Sequence, residues 1–161
     1  IITQDEMEFA YLGLESETPR VVIQSAIFIM SLEKEYCKRV FINFERYSQF
    51  TQKILIPLIA GLEFSEAYTF LLQKLEKEQE EKTIKLLVLA IARTHYPVFP
   101  LIMNMFETEN KVFKEKLKQV LKHMGYLKCE PYLSMYPQVP FEKEMRGIFG
   151  DKNIDQVYSE S

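Results

Sequence analysis

The side chains in this sequence that could do chemistry are few and scattered. It carries two histidines, His95 and His123, and two cysteines, Cys37 and Cys129. A catalytic imidazole needs a nucleophile or an orienting carboxylate at a recognisable spacing, and neither histidine has one. Each reads instead as a residue at a helix C-terminus, where a histidine favours the negative end of the helix dipole. The sequence has no HExxH, CxxC or helical Glu-x-x-His pattern. A zinc site or a di-iron bundle would therefore lack its ligands, and no metal or other cofactor is expected. Cys37 and Cys129 read as buried free thiols in a reducing compartment, because a disulfide framework shows more pairs in a shorter chain.

The basic residues are better ordered than the acid–base candidates. Lys111, Lys114, Lys118 and Lys122 recur at spacings of three and four, which places them on one helix face, with Lys116 off it. That face is a candidate patch for phosphates or an acidic partner; the plainer alternative is the solvated side of an amphipathic helix. Arg20, Lys53 and Lys85 recur at roughly thirty-residue intervals and would form a basic ladder along one surface of a repeat array. Tyr126, Tyr132 and Tyr136 cluster with Pro131 and Pro137. Tyr132 and Tyr136 are candidates for a peptide-binding surface, with capping of the last repeat as the competing reading. The run Glu76, Glu78, Glu80 and Glu81, interleaved with Lys74, Lys77 and Lys82, reads as a solvated corner between helices.

Composition limits what these residues can belong to. The 161-residue chain is 47% hydrophobic and 27% charged, enough for one domain with a substantial core. Its net charge of −3 and pI near 5.6 disfavour a broad nucleic-acid footprint but leave room for a local basic patch. Five glycines leave little for phosphate loops or tight hairpins. The apolar run at residues 84–92 is too short to span a membrane, contains Lys85 and is flanked by Lys82 and Arg93. A cytoplasmic protein is expected, or the cytoplasmic part of a longer, membrane-anchored one, since the chain begins at Ile1 without a methionine.

The elements that must position these residues are helices. Thr18-Pro19 reads as an N-cap with proline at the first helical position. Tyr36, Val40, Phe41, Phe44 and Tyr47 form an apolar stripe at helical spacing, as do Tyr68, Leu71, Leu72 and Leu75. Ser48 is a candidate cap for 49–62, and Pro57 is expected to kink that helix or to start a new one. Phe113, Leu117, Val120, Leu121 and Met124 mark a helix ending at Gly125. No strand or hairpin signal appears. Residues 1–128 are read as one helical repeat domain. Residues 129–161, with Pro131, Pro137 and Pro140, are read as a short irregular capping segment of one or two small helices, ending in a loose tail from Asp151.

The helices recur in pairs. Residues 21–33, 51–63 and 83–94 align at shifts of about thirty, and each is more apolar than the helix before it. "TPRVVIQSAIFIMSL", "EKTIKLLVLAIA" and "FKEKLKQVLKHMG" resemble the second helix of the HEAT-repeat family, and "YPVFPLIMNMFETEN" resembles its first helix. The resemblance covers about residues 5–125. The Asp-Pro turn common between paired helices in that family is missing, and Pro57 would suit a first helix better. A three-helix, armadillo-like register is the alternative. The resemblance implies an all-α, right-handed α–α superhelix and a non-enzymatic scaffold that binds a protein or peptide. It also implies a second possibility, since HEAT-like DNA glycosylases use a basic concave groove. In such a stack the inner helix packs on its partner and on both neighbours, which explains "LLVLAIA" by burial alone, at about 1.5–3 kcal/mol per side chain.

Overall fold

The computed structural model describes residues 1–136 and 139–158. Across them the chain is all-α, with eleven α-helices and one 3₁₀ turn. In order these are α1 (Gln4–Gly13), α2 (Pro19–Met30), α3 (Lys34–Asn43) running into the 3₁₀ turn Phe44–Arg46, α4 (Gln49–Ala60), α5 (Ser65–Lys77) and α6 (Glu81–Ala92). They continue as α7 (Phe99–Phe106), α8 (Lys111–Met124), α9 (Tyr126–Leu133), α10 (Val139–Phe149) and α11 (Asp151–Tyr158).

The helices alternate between two rows. In one, α2 packs on α4, α4 on α6, α6 on α8 and α8 on α10. In the other, α3 packs on α5, α5 on α7, α7 on α9 and α9 on α11. The rows meet through contacts such as α1 with α2, α5 with α4 and α6, and α7 with α8. The three apolar runs aligned in the sequence are therefore successive members of one row, α2, α4 and α6, with α8 next. One core runs the length of the chain between the rows, from Met7 and Tyr11 through Leu55, Leu71 and Leu87 to Leu117, Met145 and Ile154.

Local chemistry sets where helices begin. Thr3, Ser48 and Asn110 each accept a bond from a first-turn N–H, those of Glu6, Thr51 and Phe113 at 3.1, 3.2 and 3.0 Å. Thr18 occupies the N-cap of α2 but makes no such bond, and the preset backbone of Pro19 starts that helix. Pro57 does not restart the chain: α4 runs through it, one turn before the helix end. The proline ring lies on the exposed face, where the unpaired carbonyl one turn back is open to water. Gly13 allows close approach of the first hairpin, since a Cβ there would stand 1.9 Å from the Ser25 hydroxyl.

Where helices end, the structure uses side chains from elsewhere in the chain. The Leu14 carbonyl accepts from Thr51 (3.0 Å), and those of Phe44 and Tyr47 accept from Gln52 (3.2 and 3.0 Å). The Tyr68 hydroxyl sits among the carbonyls of Ala60 and Leu62 and the hydroxyl of Thr94. Lys116 donates to Leu75 (2.8 Å) and Glu78 (2.7 Å) in the last turn of α5 and just past it, and Lys128 donates to Ala92 (2.8 Å) and Thr94 at the end of α6 and just past it. Burial lowers the pKa of both lysines, as expected for ammonium groups drawn against helix ends.

The C-terminal region corrects the expectation of an irregular, loose tail. Position 128/129 lies inside α9, and α10 and α11 form a hairpin that joins the two rows. Met145 and Ile154 are fully buried, and the Tyr158 hydroxyl reaches the carbonyls of Leu133 (2.8 Å) and Tyr136 (3.1 Å). Arg146 ties the hairpin together through Glu142 (3.5 Å) and Asp155 (2.7 Å). Phe141, Met145, Ile148 and Phe149, then Ile154, Val157 and Tyr158, repeat at helical spacing, but Pro131, Pro137 and Pro140 read as breaks around them. Pro137 and the end of the chain beyond Tyr158 lie outside the described residues.

If side chains close the helix ends, removing one should destabilise the whole stack. Lys116→Met keeps the apolar stem and strips both carbonyls of their donor. It should lower unfolding free energy by about 1–3 kcal/mol in urea titrations, whereas Lys111→Met on the same helix should be near neutral.

Candidate partner-binding face

Burial of the inner row members α4 and α6 leaves one stripe of each open, while α2, the first of the row, is also exposed at Val21, Gln24 and Phe28. In α2, α4 and α6 the second, fifth and ninth residues share a face and point away from the core. They read Arg20, Ile23, Ile27; Phe50, Lys53, Pro57; and Lys82, Lys85, Leu89. All are exposed except Leu89, which is half-buried. In α8 the stripe continues as Val112, Glu115, Gln119 and then Lys122. The surface thus alternates cations with large apolar groups, Ile27 and Phe50 being 53% and 45% exposed.

The expected ladder lies on this stripe in modified form. Lys53 and Lys85 hold the same position on neighbouring helices. Arg20 sits one turn nearer its helix N-terminus, level with Phe50 and Lys82. The Lys53 ammonium stands 3.7 Å from Glu80. The Thr83 hydroxyl at 2.7 Å and the Lys53 charge hold the Glu80 carboxyl below its ordinary value. Lys85 has no carboxylate within ion-pair range among the described residues.

The lysine face of α8 is divided. Lys111 and Lys122 are exposed at its two ends. Lys114 and Lys118 are half-buried and converge on Glu144 of α10, at 3.2 and 2.9 Å, and Lys118 also reaches Glu115 at 3.2 Å. These two lysines occupy the helix positions that in α2 hold the buried Val22 and Ala26. The junction of α8 with α10 is ionic. Burial pushes the Glu144 carboxyl up, but the ion pairs with Lys118 and Lys114 outweigh it and hold its pKa below the ordinary value.

The aromatic candidates are likewise engaged. Tyr132 stacks on Phe99 at 5.3 Å between ring centroids, and Tyr136 lies between Phe99 (5.8 Å) and Phe141 (5.1 Å). Both are half-buried in the packing of α7, α9 and α10. His95 is exposed just beyond α6, and His123 is exposed in the last turn of α8. Cys37 and Cys129 are free and buried, and burial pushes both thiols up, that of Cys129 to about 12. No group of three potential metal ligands occurs among the described residues, and no helix there is long and apolar enough to cross a membrane.

Sequence reading missed a cavity of about 320 Å³ between the C-terminal ends of α4 and α6. Pro57 and Leu89 of the open stripe form one wall, and Leu86, Ala90 and Tyr96 line the interior. The Tyr96 ring is stacked on Tyr68 at 4.7 Å. Arg93, His95 and Glu63 stand at the rim. The sequence singled out two of its lining residues for other reasons, Pro57 as a helix breaker and His95 as a residue at a helix end.

No family model matches the chain, and no curated protein or solved structure matches it significantly.

The Lys114–Glu144–Lys118 cluster makes a pH-dependent prediction. A carboxylate whose folded pKa is depressed contributes stability above its unfolded pKa and loses it as pH falls through the folded value. Glu144→Gln should therefore cost about 1–2 kcal/mol at neutral pH. The gap to the wild type should close in urea titrations run below about pH 4.

Proposed function

We propose that this chain is a non-enzymatic helical-repeat scaffold of HEAT-like character, whose stacked hairpins wind as a right-handed α–α superhelix and bind an acidic, partly apolar protein segment. What supports the repeat reading is the alternation of helices between two rows. The row members begin at Pro19, Gln49, Glu81 and Lys111, about thirty residues apart. This order favours units of two helices over three.

The observation that carries the binding reading is the open stripe of the α2–α8 row. A solvated helix face has no need of Ile23, Ile27, Phe50 and Val112 among its lysines. A surface alternating cations with apolar groups complements a segment that alternates acids with apolar residues. The cations lie in the N-terminal halves of their helices, where the helix dipoles add to the positive field. Arg20, Lys53 and Lys85 are the central contacts of this reading, with Lys122 at the far end. Lys114, Lys118, Tyr132 and Tyr136 serve the stacking of the chain on itself.

The experiment is capture followed by reconstitution. Partners drawn from lysate by the wild-type chain are identified by mass spectrometry, purified, and titrated against the wild type and the Lys53→Glu/Lys85→Glu double variant. The variant should bind an acidic protein at least about tenfold more weakly, and the wild type should lose affinity as salt rises. A protein partner bound equally well by both would overturn the proposal, as would nucleic acid captured in place of protein.

A further inference from the structure

The cavity between α4 and α6 opens onto the stripe at Pro57 and Leu89, so a segment lying on the stripe meets it directly. Resting on the binding reading above, we propose that this cavity is an anchor site for one aromatic side chain of the partner. A residue two positions away in the partner, an Asp or Glu, meets Lys53 and Lys85. The aromatic class follows from the lining. Pro57, Leu86, Leu89 and Ala90 supply apolar walls, and the half-buried Tyr96 ring, already stacked on Tyr68, offers a face for stacking. At about 320 Å³ the cavity is at the small end of binding pockets, the scale of one ring system rather than an extended ligand.

The electrostatics fix which side of the anchor the acid takes. The C-terminal ends of α4 and α6 point their negative dipole ends at the cavity, and Glu63 stands at its rim beside Arg93. An anion there would meet opposing fields. One turn back along both helices, Lys53 and Lys85 stand side by side on the open stripe. Four residues of helix span about 6 Å. An extended peptide advances about 3.3 Å per residue, so an acid two residues from the ring matches that step. The recognised pattern is therefore acid-x-aromatic.

The test uses three labelled peptides with Ser-Gly flanks: Glu-Glu-Ser-Phe, Glu-Glu-Ser-Ala and Lys-Lys-Ser-Phe. Each is titrated into the ¹⁵N-labelled full chain and followed by amide chemical shifts. The first peptide should shift Gly61, Leu89, Ala90 and Arg93 together with Lys53 and Lys85. The alanine and lysine versions should each bind at least about tenfold more weakly. Lys85→Glu, a surface change, should weaken the first peptide and strengthen the lysine version. Binding that needs the acids but ignores Phe→Ala, with shifts only near Lys53 and Lys85, would overturn the anchor while leaving the binding face standing. Shifts confined to the groove of Phe9 and Phe28 between α1 and α2, or no shifts up to about millimolar peptide, would overturn it as well. The reconstituted partner then judges the binding face separately.

Discussion

Everything in this structure depends on burying one row of helices on every side but one. A helix packed on its hairpin neighbour and on the row members before and after it keeps only a narrow stripe for water. This is why residues 84–92 are apolar apart from Lys85. Leu87, Val88, Ile91 and Ala92 are core, while Lys82 and Lys85 mark the stripe that remains. The same division holds in α4, where Leu55, Ile56 and Ile59 are buried around an exposed Lys53 and Pro57.

Packing helices this closely also buries their ends, and unpaired carbonyls at a buried helix end are costly. Glycine serves three ends locally, Gly61 after α4, Gly125 after α8 and Gly150 after α10. Other ends are closed at long range. Thr51, Gln52, Tyr68, Lys116, Lys128 and Tyr158 each reach carbonyls in the last turn of another helix or just past it. Each such bond holds the end of one helix against the body of another and so fixes the register of the stack. Lysine and tyrosine suit the task because a long apolar stem crosses the core edge and a polar tip meets the carbonyl.

Helical period alone made much of the fold legible. The apolar runs beginning at Val21, Thr51 and Thr83 identified α2, α4 and α6, and the stripe from Phe113 to Met124 identified α8. Three features escaped for physical reasons. Lys116 reads as one more surface lysine, because its partners are carbonyls about forty residues away and leave no trace in residue type. Lys114 and Lys118 share a face with Lys111 and Lys122, and only the position of Glu144 on α10 separates paired cations from open ones. The C-terminal hairpin has a helical period, Phe141, Met145, Ile148 and Phe149 and then Ile154, Val157 and Tyr158, but it is short and set among Pro131, Pro137 and Pro140, which read as breaks. The basic ladder was visible in outline, but the apolar residues beside it read as core until the row showed which way each helix faces.

A row buried on all sides but one makes an extended, semi-apolar stripe available to a partner, and the binding proposal rests on that division. It can be measured directly by placing single cysteines along the row and comparing thiol labelling of the native and denatured chain. Cys37 and Cys129, buried and with raised pKa values, serve as internal markers of the folded state. Cysteines at Ile23, Lys53, Lys85 and Gln119 should label within about tenfold of their denatured rates, and those at Ala26, Leu55, Leu87 and Leu117 should be slowed by at least about a thousandfold. Equal labelling of the two sets, or protection at Lys53 and Lys85 in the free chain, would contradict the account.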